Sequence, residues 1–222
     1  MWSGLKNDWA YKDFHFRDIT DPKYRHLFLL LYWPVILPGY FIAQRLALKT
    51  GYTVMHCAMD DMIPFCEVFI IPYIIWYPLV LFTILYTAGF EVPVFVKLSK
   101  YLIITITIST VIYFIWPTGQ DMWPAQFPRN NTFTWLTGMI YSLDVNTNVC
   151  PSEHVEYIFG AAFAAAHSKR LSGGGWKIFF WTEAVLVAVG VAFIKQHSVI
   201  DVVAAVPLIL TGYFFSFYKK KR

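Results

Sequence analysis

Six apolar stretches, each close to the length that a helix needs to cross a lipid bilayer, dominate this sequence. A membrane-spanning helix takes about 20 mainly apolar residues. The stretches lie at roughly 26–44, 64–88, 101–116, 154–168, 176–194 and 198–217. The fourth is short but rich in glycine and alanine, which lets other helices approach it closely. Only 14% of the residues are charged, against about 25% in a soluble domain. The sequence therefore predicts an all-α fold, a polytopic membrane bundle of six transmembrane helices.

Two short polar segments flank the apolar part of the chain. Residues 1–25 are polar, aromatic and charged, which predicts a cytoplasmic amphipathic segment and not a cleavable signal. Residues 26–217 contain no segment that resembles a linker, so we expect one membrane domain there, followed by a basic cytoplasmic tail at 218–222. The three cysteines are too few and too irregularly spaced for a disulfide framework or a metal cage.

Lysine and arginine are unevenly divided between the two sides of the predicted bundle. With six spans both termini lie on one side, and that side receives 14 of the 18 cationic residues. The other side receives Arg45, Lys49, Arg129 and Lys195. Because cytoplasmic loops are enriched in Lys and Arg, we expect cytoplasmic termini. The long loop at about 117–153 then lies outside, with a short amphipathic helix near 133–143 along the membrane surface.

Two segments on the predicted outer side place histidine beside a hydroxyl or a carboxylate where a helix begins. Ser152 and His154 open the fourth stretch, and His197 and Asp201 open the sixth. Helix N-termini offer unpaired N–H groups and a positive dipole end, which suit a phosphate group. His197 and Asp201, four residues apart, share a helix face. The carboxylate can then hold one ring nitrogen and leave the other free as a nucleophile or base.

Each of these residues also has a purely structural interpretation. Proline followed by serine is an ordinary helix opening, and a single histidine at a membrane interface usually contacts headgroups. Asp201 is different, because a carboxylate inside a spanning helix is costly and usually functional. The combination therefore favours a site more than any one residue does. Asp60, Asp61 and Asp121 are expected to be solvated loop charges, with cation binding by Asp60-Asp61 as the alternative.

The two segments resemble known signature motifs. PSEH at 151–154 and HSVID at 197–201 resemble the second and third motifs of the type-2 phosphatidic acid phosphatase superfamily. The wider segments NVCPS at 148–152 and KQHS at 195–198 look like its small bacterial branch, which is related to inositol phosphorylceramide synthases. Six spans with the motifs on outer loops also match, so the resemblance covers most of the chain from about residue 24.

The resemblance implies a role for each matching residue and no metal or other cofactor. His197 would attack phosphorus and Asp201 would orient it. His154 would protonate the leaving alkoxide, and Ser152 would help to hold the phosphate. A site of this kind is expected on the extracytoplasmic face.

Three cations of the family pattern are absent from this chain. The first motif has a lysine, six residues and then Arg-Pro, where this chain has Trp116, six residues and Trp123-Pro124. The third motif has Ser-Arg five residues before its histidine, where this chain has Gly190-Val191. A transferring phosphoryl group needs its negative charge neutralised. Lys195 and Arg129 are therefore predicted as substitute phosphate-binding residues.

The sequence predicts a membrane lipid phosphatase that hydrolyses a lipid phosphate monoester or pyrophosphate through a phosphohistidine. One alternative is a lipid phosphotransferase, in which a lipid hydroxyl replaces water. Another is a lipid-binding or transport protein that uses Glu67, His154, His197 and Asp201 as a proton relay. The partners expected are the lipid substrate and membrane lipids, with no nucleic acid. The identity of the lipid and the oligomeric state stay open.

Overall fold

The structure is a computed structural model that describes residues 9–218. Residues 1–8 of the predicted N-terminal segment, and residues 219–222 of the predicted basic tail, lie outside the described part. The α-helices are α1 (Trp33–Thr50), α2 (Ala58–Met62), α3 (Ile70–Phe90), α4 (Val92–Ile115), α5 (Thr132–Leu143), α6 (Glu153–His167), α7 (Gly174–Phe193) and α8 (Val199–Ser216). Short 3-10 segments cover Phe16–Asp18, Arg25–Tyr32 and Glu67–Phe69. The strands β1 (Thr53–Val54) and β2 (Thr118–Gly119) pair in parallel.

Five helical stretches in the described part are long and apolar enough to cross a membrane. They are Arg25–Thr50, Glu67–Phe90, Val92–Ile115, Gly174–Phe193 and Val199–Ser216. These stretches confirm the all-α class and indicate an integral membrane protein. The one predicted span outside these five is the fourth stretch, 154–168, which corresponds to α6; this helix has 15 residues and a length of about 22 Å. It is too short to count among the five.

Helix α6 nevertheless lies at the centre of the bundle, where it packs against α3, α4, α7 and α8. Small residues allow this, because Ala161, Ala162, Ala164 and Ala165 are all buried. A Cβ atom at Gly160 would lie 2.6 Å from the ring of Tyr101, so only glycine fits there. The close approach predicted for the fourth stretch is confirmed.

The connections gather at two ends of the bundle. The loop end consists of residues 51–66, 116–152 and 194–198, and the opposite end of residues 9–24 and 168–173. At the loop end, Thr53 N donates to Pro117 O at 2.8 Å and Cys66 N to Phe193 O at 3.0 Å. At the opposite end, Ala10 N donates to Gly89 O at 2.8 Å.

Helix α5 is the short helix predicted near 133–143. The side chain of Asn131 caps it by accepting from Phe133 N at 2.9 Å and Thr134 N at 3.0 Å. The helix buries threonines and leaves Trp135 and Leu143 exposed. An outward apolar face of this kind suits contact with lipid.

Candidate functional site

Two histidines meet at the loop end. His154 lies in the first turn of α6, and His197 immediately precedes the first residues of α8. The Nδ1 atom of His154 is 3.0 Å from the Nε2 atom of His197, which is hydrogen-bond distance. The structure therefore brings together two of the predicted catalytic residues from segments 43 positions apart.

The other ring nitrogen of His197 faces two acceptors. Its Nδ1 atom lies 2.9 Å from the carbonyl oxygen of Val149 and 3.3 Å from Oδ2 of Asp201. The same Oδ2 atom accepts a hydrogen bond from Ser198 N at 2.9 Å. Because neither neighbour of Nδ1 has a hydrogen to give, the proton of His197 belongs on Nδ1. Its Nε2 atom then presents a lone pair to His154.

The far side of His154 contacts two residues that the sequence did not identify. The Nε2 atom lies 2.7 Å from Oη of Tyr73 and 3.3 Å from Oδ2 of Asp144. The Tyr73 hydroxyl donates to that carboxylate at 2.6 Å. Asp144 directly follows the predicted helix at 133–143, which was a usable signal. Tyr73 had none, because aromatic residues are common throughout the apolar stretches.

These contacts determine where the protons lie. Burial acts to raise the pKa of Asp144, but the hydrogen bond and charge of His154 and the hydrogen bond from Tyr73 outweigh it, and the pKa is lowered. Asp144 is therefore a carboxylate that accepts the Tyr73 hydrogen bond, so Nε2 of His154 carries a proton towards it. Burial lowers the pKa of His154, and the hydrogen bond and charge of Asp144 oppose this only in part. The contacts fit one proton shared between Nδ1 of His154 and Nε2 of His197, with Asp144 favouring the charge on His154.

A tight turn holds His197 in place. The amides of Gln196 and His197 both donate to the carbonyl of Val191, at 2.9 and 3.1 Å. Lys195 has φ 57°, in the left-handed region that few side chains adopt. Val191 stands where the third motif of the phosphatase pattern has its arginine. It is fully buried, and its backbone carbonyl supports the turn.

Ser152 joins α6 to the start of α8 through its backbone. Its N–H donates to Asp201 O at 3.0 Å. Its hydroxyl is fully buried, has no hydrogen-bond partner in the described part of the chain, and does not belong to the wall of the cavity beside the histidines.

Lys195 binds backbone carbonyls. Its Nζ atom donates to Asp60 O at 2.8 Å and to Ile63 O at 2.5 Å. Burial lowers the pKa of this amine. It lines a second cavity together with Asp60 and Asp61, and neither His154 nor His197 belongs to the wall of that cavity. Lys195 therefore fastens the segment 60–63 to the turn that carries His197.

Asp60 is not the solvated loop charge that the sequence predicted, because it is 3% exposed. Its carboxylate accepts from Ser198 Oγ at 2.6 Å and from Val199 N at 2.9 Å. Burial acts to raise the pKa of Asp60, but these hydrogen bonds and those from Cys57 outweigh it and lower the pKa. Asp60 thus acts from another segment on the first turn of α8.

Arg129 forms a bidentate ion pair with Glu67. Nε and Nη2 of the guanidinium each lie 2.6 Å from a carboxylate oxygen, and Asn131 adds a third donor at 3.0 Å. Arg129 lines a third cavity, with residues of α5, and not the one beside the histidines. The pair fastens the long loop at the loop end to the start of the second apolar stretch.

Trp123, at the position of a family arginine, lies near the site without touching the histidines. Its Nε1 atom donates to Oε1 of Gln196 at 3.0 Å, and its ring stacks on Tyr141 at 4.2 Å. Gln196 in turn lies 3.4 Å from the Tyr73 hydroxyl. Trp116, at the lysine position, is half exposed and donates to Thr53.

A cavity of about 570 Å³ opens beside the histidine pair. This volume is within the range of ligand sites, about 300–1,000 Å³. Its wall is mainly apolar and aromatic, from α1, α3, α5 and α6, and includes Asp144, Glu153, His154 and His197. Within residues 9–218, no lysine or arginine belongs to this wall.

No group of three or more His, Cys, Asp or Glu side chains in the described part of the chain is arranged to hold a metal ion. Comparison with family models, with curated proteins and with solved structures finds no match to this chain.

Proposed function

We propose that this protein is a membrane enzyme that transfers the phosphoryl group of a lipid phosphate through a phosphohistidine, in the manner of the type-2 phosphatidic acid phosphatases. One observation carries the proposal. His197, held by Asp201, lies 3.0 Å from His154, which Asp144 and Tyr73 hold from the other side. A neutral imidazole beside an imidazolium supplies a nucleophile and a general acid in one place.

In the first half-reaction, a phosphate ester enters between the two rings. The Nε2 lone pair of His197 forms the P–N bond. The P–O bond to the lipid breaks, and its electron pair goes to the lipid oxygen. His154 gives its Nδ1 proton to that oxygen, so the lipid leaves as an alcohol. Asp201 and the Val149 carbonyl keep the remaining proton of His197 on Nδ1 and stabilise the positive charge that the ring acquires.

In the second half-reaction, His154, now neutral, takes a proton from an attacking hydroxyl group. Water as the attacker gives hydrolysis, and a lipid hydroxyl gives transfer to a new lipid. The P–N bond then breaks and its electron pair returns to His197. Both outcomes use the same residues, so the choice depends on which hydroxyl reaches the phosphohistidine.

Ser152, Lys195 and Arg129 are proposed here as supporting residues for the phosphate site, since none belongs to the wall of the cavity. Ser152 fixes α6 to α8, Lys195 fixes the His197 turn, and Arg129 fixes the outer loop. The charge on the phosphate would then be met by the His154 imidazolium and the free N–H groups in the first turn of α6.

The proposed orientation puts the loop end outside the cytoplasm and the termini inside. Support comes from the described cations: the loop end has Arg45, Lys49, Arg129 and Lys195, and the remaining nine lie towards the opposite end. Chemical labelling of a single cysteine introduced at Gln126, from outside intact cells, checks this. Protection of that cysteine in intact cells, with labelling after lysis, would reverse the orientation.

Trapping the intermediate tests the function. Purified protein in lipid nanodiscs is mixed with phosphatidic acid and other lipid phosphates labelled with ³²P, and quenched in alkali, which preserves phosphohistidine. We expect label on the wild type and none on His197→Ala, with loss of all lipid product. His167→Ala, a matched change at the far end of α6, should label normally. Equal turnover by His197→Ala and wild type would refute the phosphohistidine and favour the lipid-binding or transport alternative.

A further inference from the structure

The charged groups in the wall of the cavity beside the histidines do not suit a phosphate monoester. Its wall contains the carboxyl groups of Asp144 and Glu153, and no lysine or arginine of residues 9–218. A phosphate monoester carries about −1.5 to −2 charges near neutral pH. In an apolar site such charges repel the Asp144 carboxylate strongly, and the His154 imidazolium offers only one positive charge. A phosphodiester, with a single negative charge, matches that imidazolium.

The same wall is rich in aromatic rings. Tyr40, Trp76, Tyr77 and Tyr157 all line it. The rings of Trp76 and Tyr157 meet edge to face at 5.7 Å, and those of Trp76 and Tyr77 at 4.6 Å. Aromatic faces attract cations through their quadrupoles, and clusters of such rings bind quaternary ammonium groups.

Two residues of the wall have oxygen atoms with no partner among residues 9–218. Oε1 of Glu153 and Oδ1 of Asn148 are buried and receive no hydrogen bond from those residues. Burial raises the pKa of Glu153 well above its ordinary value, because a buried carboxylate is costly unless a positive charge or a hydrogen-bond donor accompanies it. The Asn148 oxygen can only accept, and a cation beside Glu153 would restore its carboxylate, so both groups favour a donor or a cation as ligand.

We propose that this cavity binds the ammonium group of a zwitterionic phosphodiester headgroup, of the phosphocholine or phosphoethanolamine kind, while its phosphate lies at the histidine pair. The inference rests on the proposed function and assigns it amine-bearing lipid phosphodiesters as substrates in place of lipid phosphate monoesters. Glu153 pairs with the ammonium, and the rings of Trp76, Tyr77 and Tyr157 enclose its methylene or methyl groups.

The chemical step follows from this placement. His197 forms the P–N bond and the P–O bond to the glyceride breaks. The glyceride oxygen takes the electron pair and the His154 proton, and diacylglycerol leaves into the bilayer. The ammonium end of the headgroup stays in the cavity, attached to the phosphohistidine. Water then releases phosphocholine, or a lipid hydroxyl accepts it, and His197 recovers its lone pair.

A series of headgroups tests the inference. The full chain in nanodiscs is given phosphatidylcholine, phosphatidylethanolamine, phosphatidylglycerol or phosphatidic acid, all with the same acyl chains. We expect diacylglycerol from the first two at least tenfold faster than from the last two. Phosphatidylglycerol is the matched control, because it is a phosphodiester without an ammonium group. Turnover of phosphatidic acid that equals or exceeds that of phosphatidylcholine, and depends on His197, would overturn the inference and leave the proposed function standing.

Two pairs of variants test the residues. Glu153→Gln should raise KM for phosphatidylcholine about tenfold with a smaller change in kcat, whereas Glu183→Gln, a buried glutamate of α7 outside the cavity, should change neither. Tyr77→Leu should raise KM in the same way, and Phe82→Leu, at a similarly exposed ring of the same helix, should not. If Glu153→Gln fails to fold, the Tyr77 pair alone decides. Equal KM values for Tyr77→Leu and Phe82→Leu would contradict the proposed wall.

If the proposed function is wrong, a different experimental result is expected. In that case no lipid is turned over in a manner that requires His197. Phosphocholine binding, measured by tryptophan fluorescence of the protein with inorganic phosphate as the comparison ligand, then decides the inference. Phosphocholine binding that Tyr77→Leu weakens would support a cationic site. Phosphate binding without phosphocholine binding would overturn it.

Discussion

The two ends of the bundle differ in how many charged groups they bury. At the loop end and the adjoining first turn of α8, Asp60 and Asp201 are buried and Lys195 is partly buried, and hydrogen bonds join their segments. At the opposite end most of the described cations are exposed, as with Arg17, whose side chain is 83% exposed. There Glu91 is the buried acid, and it accepts from Ser168 Oγ at 2.7 Å and from Lys169 N at 2.8 Å.

The difference teaches where a single substitution should matter. A buried charge is tolerable only with partners, and removing one partner leaves the others unsatisfied. At the loop end those partners are also the groups proposed to react or to position the reacting groups. At the opposite end they only join helix termini. Substitutions at the loop end should therefore change activity, and those at the opposite end should change stability alone.

The largest effect should come from Asp201→Asn. In the serine hydrolases, the same change beside a catalytic histidine costs about four orders of magnitude, because the ring takes the wrong tautomer. Here the Val149 carbonyl also accepts from Nδ1, at 2.9 Å, so we expect a loss approaching that size with activity still above His197→Ala. Measured kcat values for the three proteins check this. A loss below tenfold would show that Asp201 does not control the ring.

His154→Ala should have the next largest effect, and it should depend on the leaving group. A lost general acid costs about 10²–10⁴-fold when the leaving alkoxide is poor. An activated p-nitrophenyl ester needs little protonation and should lose much less. Rates of wild type and variant on an alkyl and a p-nitrophenyl phosphodiester give the comparison. Equal losses on both esters would contradict the acid role and indicate a structural one.

Asp60→Asn should affect stability as well as activity. Its carboxylate accepts from Ser198 and Val199 at the start of α8, so the change should cost about 1–3 kcal/mol. Because the folded-state pKa lies below the ordinary value of 3.8, the contribution is present above that pH and is lost as the pH falls through the lower folded value. Thermal melting of both proteins between pH 3 and 7 tests this. A melting difference that grows as the pH falls would contradict it.

Glu91→Gln, at the opposite end, should have the smallest effect. The amide keeps an acceptor for Ser168 or Lys169, so we expect a loss of about 1 kcal/mol in stability and an unchanged kcat per folded molecule. Melting temperature and turnover in the same nanodisc preparation provide the readouts. A fall in kcat without a fall in stability would break the proposed division between the two ends.

The sequence could predict those parts of the fold and site that depend on local pattern. Five of the six predicted apolar stretches correspond to helical stretches that can cross a membrane. The four-residue spacing of His197 and Asp201 placed them in contact, as found at 3.3 Å. Asp60 could not be found in this way, because its partners Ser198 and Val199 come from α8, more than 130 positions away.

Tyr73 and Asp144 were missed for the same physical reason. They lie 81 and 10 positions from His154 and reach it only through the packing of α3 and the end of α5 against α6. Lys195 was predicted as a phosphate-binding residue, and in the structure two backbone carbonyls of a distant segment bind its amine. The carbonyls that face a turn depend on how distant loops fold over it. The spacing of residues in the sequence does not predict this.

The shortness of α6 has a consequence for depth in the bilayer. Glu91 ties the start of α4 to the end of α6 at one level. Helix α4 has 24 residues and α6 has 15. Ser109, six residues before the end of α4, donates to Oε1 of Glu156 in α6 at 2.7 Å, so this level lies about 9 Å below the far end of α4. His154, two residues before Glu156, is therefore recessed by less than about 9 Å from that end. A headgroup must sink to reach the histidines, or the leaflet must thin around α6. At that depth water is scarce and lipid hydroxyls are close, so the thickness of the host membrane would bias the phosphohistidine between hydrolysis and transfer.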